Sequence, residues 1–554
     1  MKLHKREVSF GADKDQRSAK GSLTVYAVGI TYMISLIIRI PLSRMIGDAG
    51  IGLFAPAFEI FSLITLFFSY GISRTMTGLI RYRMKRGQYK SARKVFHEAF
   101  KISLLLGAFF SLIIVFAAGP LSEILVLEAM SRKAVFVCAP AVLLTALVNV
   151  FRGYFNGNGF GVLVAHSHFI EKVTMLIAVL SGGRFVYEGY GIKAAALYQN
   201  DAVAYAYGAM GAVFGLVIAE LITLIYLLFV FVLYSGAWKR QLMQDNGRRL
   251  ESGGEIAGML IGSSIPVALI AVFSNVFMLI DQRFFNYCMN RTLQADRTAL
   301  WGSYYGKYAA LTGIGAALVC LTVQGSIGKT AAAYEREEYR IMRDRIGSAV
   351  KKVCITAFPT AIILAVLAEP FVKGLYRGES ELAVSMLRQG TVIIFFYGIA
   401  FLFGQLMIKM RMMIELLISV GISLALHIFA VFLFVKKGLL GADGVVYSVM
   451  VFMIILAVVC FAFVSRKVQY RQEWLYSFAF PAVAACLCGL LVMLFNKLLP
   501  DIVGNVPTIL ISCLVNAVLY ILLLIVLRVI HESEASELPF GVIWVTFGRM
   551  IGAY

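Results

Sequence analysis

Nine ionisable residues stand out inside long apolar stretches: Arg39, Arg74, Arg152, Lys172 and Arg283 are basic, and Glu59, Glu171, Glu220 and Asp281 are acidic. A charge at a bilayer centre costs about 2.5–3.5 kcal/mol on insertion scales, so charges kept there are candidates for function. Basic side chains in that setting suit an anion, because an arginine fork replaces lost hydration with charge-assisted, often bidentate, hydrogen bonds. The plainer alternative is ion pairing between helices, with long side chains snorkelling to the interface near helix ends. The five bases are therefore cavity candidates, and the four acids are ion-pair or coupling candidates.

Other chemistry finds less support. The string Gly325-Ser-Ile-Gly328-Lys329-Thr330 imitates a phosphate-binding loop, but its first glycine would have to be Val323, and it follows an apolar run rather than a strand. ATP binding is therefore not expected. His166 and His168 are two apart in a loop, without the i,i+4 spacing or further ligands of a zinc site. No nucleophile–base pair or nucleophile elbow stands out. An enzyme, a metal and a cofactor are not expected.

The elements that would hold these charges are helices. The chain has 554 residues, 60% hydrophobic and 15% charged, against about 45–50% and 25% in soluble domains. Apolar runs of about twenty residues match the roughly 30 Å of hydrocarbon in a bilayer, and a β-barrel would show alternating strands of about ten. The runs predict some fourteen transmembrane helices, at 22–43, 53–80, 100–127, 134–155, 165–183, 208–235, 256–286, 303–326, 350–375, 384–408, 412–435, 442–465, 477–499 and 506–528. The first is too long for a signal-peptide core and should be retained. The eight cysteines form no CxxC and lie almost wholly within these runs, which reads as reduced core residues.

The net charge of +20 is topological rather than a nucleic-acid signal. Basic residues cluster in the N-terminal tail and after runs two (Arg81 to Lys94), six (Lys239 to Arg249), eight (Lys329 to Arg345) and twelve (Arg466 to Arg471). These connections are all even-numbered, so they share a side, the cytoplasmic one, with both termini. Depth along each helix then sorts the charges. Arg39, Glu59, Asp281 and Arg283 form an outer tier, Arg74, Arg152, Glu171 and Lys172 an inner tier, and Glu220 lies near mid-membrane. The tyrosine-rich segment 184–207 would lie outside, as an interfacial belt or a sugar-contacting lid.

A shift of 250 residues brings Tyr89 onto Tyr339, Arg93 onto Arg343, Lys101 onto Lys351, Ala118 onto Ala368 and Pro120 onto Pro370. The offset spans six helices, so the two copies keep one orientation, as in the parallel repeats of secondary transporters. The expected architecture is an all-α polytopic membrane protein. It has a cytoplasmic tail (1–21), a first lobe (22–235), a basic linker (236–255), a second lobe (256–465), two further helices (477–528) and a cytoplasmic tail (529–554).

Several strings together resemble the polysaccharide-transporter branch of the multidrug/oligosaccharidyl-lipid/polysaccharide exporter superfamily, near its lipid II flippase-like members. They are Arg39 to Gly52 (RIPLSRMIGDAGIG), Phe151 to Gly157 (FRGYFNG) with Glu171 following, Pro266 with Leu279-Ile280-Asp281, and Phe358-Pro359 through Pro370 to Leu375-Tyr376. The resemblance implies a two-lobed, fourteen-helix flippase in the bacterial cytoplasmic membrane. It would carry an undecaprenyl-pyrophosphate-linked saccharide from inner to outer leaflet through a cationic cavity. Its partners would be the lipid-linked glycan, membrane lipids and envelope-synthesis proteins. Arg39, Arg152, Glu171 and Asp281 match residues typical of the family. Lys172, Ser326-Ile327 and the missing proline after Gly157-Asn158-Gly159 depart from it and leave the subgroup open. The competing readings are a cation/drug antiporter of the same superfamily, which would want a more acidic cavity, a non-transporting scaffold of an envelope-synthesis or sporulation complex, and a membrane-embedded glycan-modifying enzyme.

Overall fold

The structure is a computed structural model that describes residues 33–246, 251–289, 294–376, 380–436, 440–532 and 541–553. The described residues are almost wholly helical and contain no strand. The membrane-length helices run in chain order as α1 (Met33–Lys85), α2 (Tyr89–Leu125), α3 (Ala129–Gly157), α4 (Gly161–Tyr198), α5 (Asp201–Gly236), α6 (Gly253–Cys288), α7 (Asp296–Glu335) and α8 (Tyr339–Val366). The bent pair α9 (Glu381–Gly390 with Ile393–Lys409) follows, then α10 (Met413–Val435), α11 (Gly441–Val468), α12 (Leu475–Lys497) and α13 (Asn505–Val526). A short helix, α14 (Gly541–Met550), comes last.

The expected count of fourteen becomes twelve among the described residues, or thirteen when the two parts of α9, bent by 53°, count as one span. The difference lies in α1, which joins the first two expected runs. A straight helix of its 53 residues would reach about 80 Å. The break is Gly47, whose φ of +70° and ψ of 173° are non-helical and suit a residue without a Cβ. Ser43 Oγ donates to Asp48 Oδ1 across that corner at 2.9 Å. Residues 22–32 of the first expected run lie outside the described residues.

Many helix starts move outward, because polar turns at the membrane edge continue the helices, whereas the ninth expected run (350–375) ends as a long helix at Val366 and gives way to a separate short helix, Ala368–Tyr376. Segment 184–207 is not a loop: it holds a π-helical turn (Tyr187–Gly191), a helix (Ile192–Tyr198) and the start of α5 at Asp201. His166 and His168 sit within α4, and Gly325 to Thr330 lie inside α7.

The repeat reappears in the backbone. The turn between α1 and α2 runs through Arg86, Gly87 (φ +69°) and Gln88, with Gly87 N–H donating to the Met84 carbonyl and Gln88 N–H to the Arg83 carbonyl. Residues 250 further on, between α7 and α8, do the same: Glu337 has φ +61°, its N–H donates to the Tyr334 carbonyl, and Glu338 N–H donates to the Ala333 carbonyl. The turns at Gly159 (φ +88°) and Arg411 (φ +61°) form a second such pair. A glycine adopts this left-handed geometry freely, whereas glutamate and arginine adopt it at a cost. Its recurrence without glycine shows that topology, not local preference, imposes the turn.

Among the described residues, the lobes pack most densely at one end. The start of α7 (Gln294–Ser303) and its π-helical turn (Tyr304–Tyr308) pack on α1, while α7 beyond Ala309 packs within the second lobe on α8 and α9. Cβ atoms at Gly52 and Gly302 would run into the backbone carbonyls of Thr298 and Asp48, so glycine permits this close approach. Helix α6 bridges the lobes. Ile256 and Leu260 near its start belong to a buried cluster of the first lobe, and Phe277, Leu279 and Phe285 near its end belong to the main core. Helices α12 and α13 pack on each other and on the outside of α8.

Candidate functional site

At the closed end the charges cross between lobes. Arg39, buried on the first arm of α1, donates from Nη2 to the Tyr305 hydroxyl at 2.8 Å and from Nη1 to the Tyr305 carbonyl at 3.2 Å. Its Cζ stands 3.8 Å from the Tyr305 ring centroid, a cation–π contact. Tyr305 in turn donates to Glu59 Oε1 at 2.5 Å, and that carboxylate lies 3.8 Å from Arg39 Nη2. Two residues on, Lys307 Nζ meets Asp48 Oδ2 at 2.6 Å with its side chain 5% exposed. The π-helical turn of α7 thus presents Tyr305 and Lys307 to the first lobe. π-turns inside helices often mark functional sites. Arg44 adds bonds to the carbonyls of Gly374 and Leu375. Asn286 donates to Val126 O at 2.9 Å, and Thr298 donates to Glu128 Oε2 at 2.9 Å.

The second charged cluster stays within the first lobe. Arg152 on α3 donates from Nε to Ser167 Oγ at 2.9 Å and from Nη2 to Glu171 Oε2 at 2.6 Å, both on α4. Lys172 Nζ binds the other oxygen of Glu171 at 2.5 Å, and His168 Nδ1 lies 3.9 Å from Oε2. Glu220 on α5 is buried within reach of the same charges. Arg152 and Lys172 thus both pair with Glu171, one on each carboxylate oxygen, with Arg152 only 5% exposed. Three of the four expected inner-tier residues, Arg152, Glu171 and Lys172, are brought together, as an internal network rather than an open groove.

The remaining candidates disperse. Asp281 on α6 is fully buried, and its Oδ1 lies 2.9 Å from Nε2 of His427 on α10. His427 Nδ1 lies 2.9 Å from the Ser448 carbonyl. A carbonyl only accepts, so Nδ1 carries a proton. The Nε2–carboxylate contact then needs another, held by either partner: this pair shares one movable proton. Arg283 is exposed and donates to the Ile124 carbonyl at the end of α2.

Arg74 stands apart. It follows the seven-residue π-helical segment Phe67–Ser73 of α1, it is half-buried, and among the described residues it makes no ion pair. Across from it, within electrostatic range, is Lys409 at the end of α9, with Arg81 and Glu335 nearby. Lys409 also has no ion pair among the described residues. One cation belongs to each lobe, Arg74 on α1 and Lys409 on α9.

Sequence reasoning passed over Lys307, although it lies within an apolar run and meets the same criterion as the nine. Asp48, Lys409 and Arg44 sit at run edges, where charges are ordinary. Tyr305 and His427 carry no formal charge at neutral pH and gave no signal of their own.

Residues 18–319 match the family model described as polysaccharide biosynthesis protein. The chain is 21% identical to stage V sporulation protein B of Bacillus subtilis (strain 168) over 544 residues, covering 95% of this chain and 98% of that protein. It is 20% identical to lipid II flippase MurJ of the same organism over 393 residues, covering 65% and 66%. Among solved structures it superposes on lipid II flippase MurJ in an inward closed conformation, with TM-score 0.62 and 15% identity over 91% of this chain and 98% of that one. It also superposes on an inward-facing multidrug resistance MATE family transporter of the MOP superfamily, with TM-score 0.62 and 15% identity over 81% and 98%. The two-lobed helical fold is shared with both, and the chain belongs to the polysaccharide biosynthesis protein family, in the polysaccharide-transporter branch of the MOP exporter superfamily.

Proposed function

We propose that this protein is a flippase that moves an undecaprenyl-pyrophosphate-linked saccharide from the inner to the outer leaflet of the bacterial cytoplasmic membrane by alternating access. In this reading the basic end faces the cytoplasm, with both termini there, and the structure is its inward-facing state. The observation that carries it is that Arg74 and Lys409, one on each lobe, lie within electrostatic range of each other and make no ion pair among the described residues. Like charges at such range repel, and an anion between them removes that cost. A pyrophosphate head suits that position, and its prenyl tail stays in lipid. The network around Arg152 and Glu171 holds α3 and α4 together, so that α1 presents Arg74 from a rigid lobe. The contacts of Arg39, Tyr305, Glu59, Lys307 and Asp48 close the far end and must break for release. The proton shared by Asp281 and His427 is the coupling element within the second lobe, biasing which state the lobes adopt.

The test is translocation of a fluorescently labelled lipid-linked oligosaccharide in proteoliposomes. R74A and K409A should each lower the rate by about tenfold or more, the size of one lost charge-assisted contact, with folding intact. Wild-type rates in both variants would overturn the cationic cleft as the receiving site. Movement of cationic dyes in place of the oligosaccharide would identify an antiporter.

A further inference from the structure

A basic cavity lies away from Arg74 and from both charged clusters. It has a volume of about 1460 Å³ and opens at the basic end, between the start of α8, the connection from α11 to α12, and the end of α13. Arg340, Arg343 and Lys351 line it from α8, Arg471 from the connection and Arg528 from the end of α13. Against these five bases stand two acids, Asp344 and Glu473. Arg528 donates to the Gly552 carbonyl at 3.0 Å. Arg340, Arg343 and Arg471 make no ion pair among the described residues. No residue of α1 to α5 lines the cavity, so it is separate from the Arg74–Lys409 cleft.

The rim is apolar. Trp474 is 64% exposed, and Leu475 and Tyr476 beside it are exposed too. Helix α14 packs through Trp544 and Val545 on the cluster that holds Cys488, Tyr520 and Leu524, and turns Val542 and Ile543 outward. Exposed aromatic and aliphatic side chains at the end of membrane helices mark the headgroup level. A basic cavity with such a rim accepts a group that is anionic at one end and attached to hydrocarbon at the other. The exposed leucines of α12 and α13, Leu487, Leu490, Leu510 and Leu514, continue as a surface for acyl chains.

We propose that this cavity binds the phosphate headgroup of an anionic glycerophospholipid, as a site distinct from the transport cleft. The shared chemistry is a phosphate ester, which either a lipid or a soluble phosphate could supply, and the apolar rim favours the lipid. The proposal rests on the membrane placement of the chain and not on the flippase reading, so either can fail alone.

The experiment uses the purified full-length protein, with retention of phosphatidylglycerol or phosphatidylcholine measured by native mass spectrometry. Each basic residue near an anionic lipid contributes about fivefold in affinity. The R340Q/R343Q/R471Q variant should therefore retain phosphatidylglycerol at least roughly tenfold less well. The control K85Q/R86Q/K90Q, which removes three charges from the first lobe, should lose less than about threefold. Equal losses in the two variants, or equal retention of both lipids by the wild type, would overturn the proposal. Displacement of phosphatidylglycerol by millimolar inorganic phosphate or glycerol phosphate would assign the cavity to a soluble phosphate and overturn the lipid assignment. If the triple variant fails to fold, R343Q should still weaken retention and R343K should restore it; no change in R343Q would count against the site.

Discussion

The two charged clusters use the same residue types and differ in what they join. Arg39 and Lys307 bind across the lobes, to Tyr305 and Asp48, residues some 260 positions distant in the chain. Arg152, Glu171, Lys172 and Glu220 all belong to three helices of one lobe. A bond within a rigid body persists through a rocking motion, whereas a bond between bodies has to break. The first cluster is therefore built to set the balance between states, and the second to keep one body rigid.

The largest expected effect separates the two on stability. R152A breaks the bonds to Ser167 and Glu171, two hydrogen bonds from a charged group worth about 1.5–3 kcal/mol each, and should destabilise the protein by about 3–5 kcal/mol. Thermal unfolding in detergent reads this. R152K should recover only part of it, because an ammonium cannot span Ser167 and Glu171 as the guanidinium does. Full stability in R152A would mean the network is not structural.

R39A should act on the conformational balance. Loss of a charged hydrogen bond worth about 1.5–3 kcal/mol shifts the closed-to-open ratio at the far end by roughly ten- to a hundredfold. A cysteine introduced by T298C, in a background without the native cysteines, should then label much faster with an impermeant maleimide. G302A should move the same readout in the same direction at least as far, because its methyl carbon would have to displace the Asp48 backbone carbonyl. Unchanged labelling in both would remove the latch role.

The smallest expected effect is on the stability of R74A, within about 0.5 kcal/mol of wild type, as for substitutions that break no partner. A large loss of stability there would place Arg74 with the structural cluster, not with the substrate.

Much of this was readable from residues. The apolar runs and the register Tyr89 onto Tyr339 survive in the structure, the latter as a backbone turn repeated to within a few degrees at Arg86 and Arg336. Depth placed Arg152, Glu171 and Lys172 at one level correctly, because rise per residue is a local property. It could not show that they neutralise one another, nor that Asp281 and Arg283, two residues apart on one helix, face different partners. Nor could it join the first two runs through Gly47, where a helical path continues on both sides of a single non-helical residue.

The sequence by itself determined the membrane class, the basic end and the twofold internal repeat. Each follows from hydropathy and charge summed along the chain, and neither sum needs to know which helices touch. Only the tertiary structure decided which cations are spent on internal pairs and which, Arg74 and Lys409 among them, make none among the described residues. A helix surrounded by lipid and by other helices is apolar on nearly every side, so its sequence carries little stripe to say where a face points. Partner choice across 150 to 270 residues, as in Asp281 with His427 or Arg39 with Tyr305, is set by how the lobes pack.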